Sequence, residues 1–150
     1  MNLFPFTAAV RAGLLLWALP VLLSAQNRSS SAGPLPPDSL GSRPVLLVFS
    51  GSDWCIPCIR LEKEVLSDTV FLAFAKQHLQ VVNADFPQRK KGSAEQERRN
   101  EALAARYNPE GAFPKLLLLH PDGSIWATLP WKNQDALTFV EQVRNRLQTH

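Results

Sequence analysis

Apolar positions in this chain fall into short blocks whose period changes from one block to the next. Residues 44 to 50, "PVLLVFS", are apolar almost throughout, with β-branched and aromatic side chains, between a proline and a glycine. That is the pattern of a strand buried on both faces. After a pair of cysteines, "IRLEKEVL" sets Ile59, Leu61, Val65 and Leu66 among charges at helical spacing, and "SDTVFLAFAKQHL" restarts a helix with Ser67 or Asp68 as its cap. "LQVVNADF" at 79–86 predicts a second strand, and "SAEQERRNEALAARY" at 93–107 a polar-faced helix with Ser93 and Gln96 at capping-box spacing. "FPKLLLLHPDGSIWATLP" reads as a hairpin turning at Pro121-Asp122-Gly123-Ser124, where glycine supplies a positive φ. The last block, "NQDALTFVEQVRNRL", carries Ala136, Leu137, Val140, Val143 and Leu147 as an amphipathic stripe.

The order is therefore strand, helix, strand, helix, strand, strand, helix. A helical crossover makes the first two strands parallel and a tight turn makes the last two antiparallel, so the class is α/β, with a mixed central sheet covered by helices on both faces. Phe113-Pro114 stands directly before the third strand, a position where proline is tolerated and where cis X-Pro bonds serve tight, fixed geometry.

The N-terminus changes the picture. Residues 1–11 carry Arg11 and no acid, "AGLLLWALPVLL" follows as an apolar run broken only by Pro20, and "SAQ" follows that. At about 12 residues the run is shorter than the roughly 20 a membrane span needs. Residues 1–25 therefore read as a secretory signal peptide cleaved after Ala25. No cysteine lies near that point to carry a lipid, so no stable membrane anchor is expected after cleavage, and the compartment is periplasmic or secreted. Residues 26–43, "QNRSSSAGPLPPDSLGSR", hold too little apolar surface to offset the entropy of ordering and read as a disordered Ser/Pro-rich linker. Residues 44–150 then form a single domain with one core.

Charge excludes little except nucleic acid. The formal net charge is +3 for the full chain, and loss of Arg11 with the leader leaves about +2. The basic runs "RKK" at 89–91 and "RR" at 98–99 are interleaved with Glu95, Glu97 and Glu101, as on a solvated loop and helix face rather than a nucleic-acid-binding surface.

Both cysteines sit in "FSGSDWCIPCIRLEKEV", as Cys55-Ile56-Pro57-Cys58. Three readings are open: a structural staple, half of a metal site, or a working redox pair. Zinc would need two more ligands, and His78, His120 and His150 show no paired spacing. A permanent staple across two residues would restrict the unfolded chain little, since such stabilisation grows with loop length. Cysteines three apart at a helix start share one face with Cα atoms about 5–6 Å apart, a span a disulfide closes and reopens.

Trp54-Cys55-Ile56-Pro57-Cys58, Pro114 before the hairpin and the element order together resemble the thioredoxin family, in particular its exported members with a "GSDWC" lead-in, over residues 44–148. The resemblance implies a thioredoxin fold and an exported thiol-disulfide oxidoreductase that exchanges disulfides with protein substrates and leans toward reduction. Cys55 and Cys58 are the catalytic residues and the redox-active disulfide in that reading. Cys55, at the helix N-terminus, is the nucleophilic thiolate, and Cys58, one turn inside, resolves the mixed disulfide. Pro57 sits in the first turn, where its missing N–H has no helical partner. Trp54, Ile56 and Pro57 rim the sulfur, and Phe113 and Pro114 offer backbone to an extended substrate. No metal and no cofactor is implied; the implied partners are protein disulfides or dithiols and an external thiol-electron donor, acting on a monomer. A protein-binding module with a structural disulfide, or a disulfide isomerase, are the alternatives. Asp53 reads as the cap of the active-site helix and Asp85 as a strand-end turn residue. Phe49 stands where thioredoxin has a buried carboxylate, so Asp53 or Glu62 could serve Cys58 only if folding brings one of them near it.

Overall fold

The computed structural model describes residues 41–149. The expected signal peptide, and all but the last three residues of the expected linker, lie outside the described residues, as does His150. Strand β1 spans Val45–Ser50, β2 Gln80–Asp85, β3 Lys115–Leu119 and β4 Ile125–Thr128. Helix α1 covers Ile56–Leu61 and runs on as a π-helical turn over Glu62–Leu66; α2 is Thr69–His78, α3 Ala94–Tyr107 and α4 Ala136–Gln148.

The sheet runs in the order β2-β1-β3-β4, with β1 parallel to β2 and antiparallel to β3, and β3 antiparallel to β4. This is the mixed α/β sheet expected, and β1 is central because all six of its residues are buried. Its alternation sorts the core. Leu46 and Val48 face α1, α2 and α4, packing with Leu61, Phe71, Phe139 and Val143; Val45, Leu47 and Phe49 face α3, packing with Leu103 and Tyr107. Each such fully buried aliphatic or aromatic side chain stabilises the fold by roughly 1.5–3 kcal/mol.

Caps explain the helix starts. Asp68 caps α2 by accepting from the Val70 amide, Ser93 caps α3 by accepting from that of Gln96, and Asp135 caps α4 by accepting from that of Thr138. The hairpin closes where expected, with Gly123 at φ 82 and the Asp122 carboxylate accepting from the Ser124 amide at 2.8 Å. In α4 the stripe is shifted: Leu137 is 58% exposed, and Phe139 is the buried residue instead. Leu147 packs only at the margin. Residues 136, 139, 140 and 143 are the true i, i+3, i+4, i+7 set. Trp126 and Trp131 pack against the core from its edge, and His120 stacks on Trp126 with ring centroids 4.5 Å apart.

Candidate active site

Strand β1 ends at Ser50, and Gly51 turns the chain toward α1. The Gly51 carbonyl accepts from the amides of Trp54 at 3.3 Å and Cys55 at 2.9 Å, which sets the first cysteine at the strand-to-helix junction. Cys55 and Cys58 are joined as a disulfide with Cα atoms 5.2 Å apart, inside the range their helical spacing predicts. The N-cap of α1 is Cys55 itself: its sulfur accepts from the Cys58 amide at 3.3 Å, and its carbonyl accepts from Ile59 at 3.0 Å. Asp53 is therefore not the cap of this helix, contrary to expectation, because a cap must lie immediately before the first helical residue and that position is Cys55. Pro57 lies in the first turn.

The two sulfur-bearing residues are nearly closed off, at 5% and 3% exposure, while Trp54 at 38% and Ile56 at 64% stand out beside them. Phe113 meets Trp54 edge to face at 5.4 Å and Phe86 at 5.6 Å, so the segment before β3 is brought against the lead-in to the cysteines. The Phe113–Pro114 peptide bond is cis. Among the described residues no three His, Cys, Asp or Glu side chains gather as a metal site.

Asp53 turns outward to the loop after β2. Its carboxylate accepts from three successive backbone amides, Gln88 at 2.9 Å, Arg89 at 2.6 Å and Lys90 at 3.4 Å. The Gln88 amide above all, then those of Arg89 and Lys90 and the Arg89 charge, hold its carboxyl below the usual Asp range against the opposing effect of desolvation. The Trp54 indole N–H donates to the Phe86 carbonyl at 2.7 Å in the same loop. Asp85, at the end of β2, accepts from the Ser52 amide at 2.8 Å and from the hydroxyls of Ser52 at 2.6 Å and Ser50 at 3.1 Å. The Asn100 side chain donates to the Asp85 carbonyl at 2.8 Å from α3. Phe86, Ser52 and Asn100 were not singled out by sequence reasoning. Their partners lie 15 to 33 residues away in sequence, and no local pattern marks such pairs.

On the far side of the motif a half-open groove of about 510 Å³ runs along Cys58, floored by Val48, Leu61 and Leu66 and rimmed by Ser50, Glu62 and Asn83. Glu62 is thus the acid that folding brings to the Cys58 side, and its carboxylate accepts from the Ser67 hydroxyl at 2.9 Å across the π-helical turn. That turn is itself a local irregularity of the kind found near working sites. Phe49 faces away, into the α3 side of the core.

A disulfide closed across the first turn of a helix, at the C-terminal end of the central strand of a mixed sheet and beside a cis-proline segment, defines the class of thioredoxin-fold dithiol proteins. The comparisons with known proteins agree. The family model described as Thioredoxin-like matches residues 41–121. The disulfide bond reductase DsbH of Chlamydia pneumoniae is 31% identical over 85% of this chain and 76% of its own length. A solved structure of a DsbH oxidoreductase superposes with a TM-score of 0.67 at 32% identity, covering 73% of this chain and 75% of that one. A disulphide isomerase from Xylella fastidiosa Temecula1 shares the fold at 24% identity and a TM-score of 0.50, over 69% of this chain and 79% of that one. The chain belongs to the thioredoxin-like family and is a thiol-disulfide oxidoreductase with a CxxC disulfide.

Proposed function

We propose that this oxidoreductase works outside the cytosol as a reductase of protein disulfides. The observation that carries the reading is the Cys55 sulfur at the N-cap of α1, with the Cys58 amide aimed at it at 3.3 Å. A backbone N–H and the positive end of the helix favour a thiolate there once the pair is reduced. The name of the Chlamydia relative, a disulfide bond reductase, supports the direction.

In the reaction the Cys55 thiolate attacks one sulfur of a substrate disulfide, forming a mixed disulfide and releasing the other substrate sulfur as a thiolate. Cys58, deprotonated in turn, attacks the Cys55 sulfur, which frees the second substrate sulfur and closes the Cys55–Cys58 disulfide. Two electrons pass from the pair to the substrate, and an external dithiol donor restores the pair. Trp54, Ile56 and Pro57 form the apolar rim on which the substrate lies, and the backbone at Phe113 and Pro114 pairs with its extended chain.

Residues 1–25 act as a removable leader, 26–43 as a tether and 44–150 as the working domain, a monomer in the periplasm or outside the cell. No helix of the described residues is long and apolar enough to cross a membrane. Reduction of insulin driven by dithiothreitol tests the activity beside Cys55→Ser. The variant is expected to fall to the uncatalysed rate; equal rates for both proteins remove Cys55 from the mechanism. A reduction potential below about −300 mV would match a structural disulfide instead and overturn the reading.

A further inference from the structure

Beside the aromatic rim, the loop from Phe86 to Lys91 is fastened to the redox motif at two points. Asp53, two residues before Cys55, accepts from the amides of Gln88, Arg89 and Lys90. Trp54, the residue next to Cys55, donates to the Phe86 carbonyl. Those contacts hold the backbone that carries Arg89 and Lys90 at a set place relative to the redox motif, and Lys91 follows them in the chain. All three are exposed, and among the described residues none of them makes an ion pair. Arg89 contributes to lowering the Asp53 pKa, and Lys90 lines a small cleft with Asp85 and Glu97, so Lys91 is the charge of the run with no carboxylate in either arrangement. Asp85, at the end of β2, is half-buried and accepts hydrogen bonds from Ser50 and Ser52. Phe86 and Phe113, touching each other and Trp54 in turn, make the loop continuous with the apolar rim.

We propose that this loop is a second docking arm of the active site, held in place by Asp53, and that it selects polypeptides with Asp or Glu flanking the disulfide to be reduced. The inference rests on the reductase reading and names its substrate class. Charge of this kind acts mainly on encounter and is screened beyond about 8 Å at physiological ionic strength. The selectivity is therefore modest and salt-sensitive, and it comes from the exposed lysines while the backbone latch comes from Asp53.

The test uses three peptides that each carry one intramolecular disulfide, flanked by Asp, by Ser or by Lys, and the rate at which the reduced protein opens each. With the Ser-flanked rate as reference, the wild type is expected to prefer the Asp-flanked over the Lys-flanked peptide by about three- to tenfold at low salt, and to lose most of that in high salt. Lys90→Ala/Lys91→Ala should lose it at low salt. Asp53→Asn separates latch from charge, because the two predict opposite signs. Removing an anion raises preference for the acidic peptide if only charge matters, whereas releasing the loop lowers it. A lowered preference supports the latch, and a raised one overturns it. Equal rates on the Asp- and Lys-flanked peptides, or a preference that survives in the double lysine variant, overturn the docking arm. A protein that opens none of the peptides refutes the reductase reading itself, a result distinct from either.

Discussion

Phe49 is where this chain departs from the thioredoxin pattern, and Phe49→Asp, which restores the family's carboxylate, is expected to cost stability and return no activity. The reason is directional. Phe49 is fully buried among Leu47, Leu103, Tyr107 and Leu117 on the α3 side of the sheet, while the groove along Cys58 opens on the opposite side, where Val48 and Ser50 point. Loss of a buried Phe side chain costs about 3–5 kcal/mol. Enclosing a carboxyl without a partner adds about 1–3 kcal/mol. The sum, about 4–8 kcal/mol, is comparable to the whole stability of an ordinary domain. Burial raises the pKa of such a carboxyl, so the folded state holds its proton to higher pH than the unfolded state does. The deficit relative to wild type therefore grows as pH rises above the ordinary Asp value and shrinks in acid. Urea denaturation at two pH values measures this, with Phe49→Leu as a volume control expected to lose about 1 kcal/mol. A folded Phe49→Asp within about 2 kcal/mol of wild type at neutral pH, or one that resolves mixed disulfides faster, would refute the assignment of Phe49 to the α3 side.

Gly51→Ala places a Cβ inside the volume of the Trp54 indole, so the ring must leave the Phe86 carbonyl; a loss of about 1 kcal/mol and a shift in tryptophan emission are expected, and an unchanged spectrum would argue against the contact. Asp53 has its pKa lowered, chiefly by the Gln88 amide, so its contribution is present above the unfolded value near 3.9 and is lost as pH falls through the lower folded one. The amide resonances of Gln88 and Arg89 should accordingly stay fixed from neutral pH to about 4 and move only below it, and movement near pH 6 would contradict the latch. Glu62→Gln removes the acid on the Cys58 groove and should slow release of the mixed disulfide on the order of tenfold to a hundredfold without changing its formation; equal release rates would leave Glu62 with no part in the proton chemistry.

Much of the architecture was legible because it rests on local periodicity. The unbroken apolar run at 45–49 marks a central strand, and Asp68, Ser93 and Gly123 carry the chemistry of caps and turns in their own side chains or lack of one. The cysteine pair and its spacing were likewise evident, since a helix brings residues three apart together without help from the rest of the fold. Helix α4 shows the limit of periodicity: Leu137 and Phe139 are both apolar, and only the angle at which α4 meets β1 and β3 decides which is buried.

What lies around the pair was decided by tertiary structure alone. The sequence determined a strand, a CxxC and a helix in that order, hence a cysteine pair at a helix N-terminus, because each step depends on neighbours within a few residues. It did not determine that Asp53 would turn from that helix to the amides of Gln88, Arg89 and Lys90, or that Glu62 rather than Phe49 would stand on the Cys58 side. Those outcomes depend on the parallel pairing of β1 with β2, which sets Ser50 opposite Asp85 and so brings the two loops that follow them side by side. A carboxylate next to one helix and a set of unpaired amides 35 residues on have no reason to find each other until that register exists.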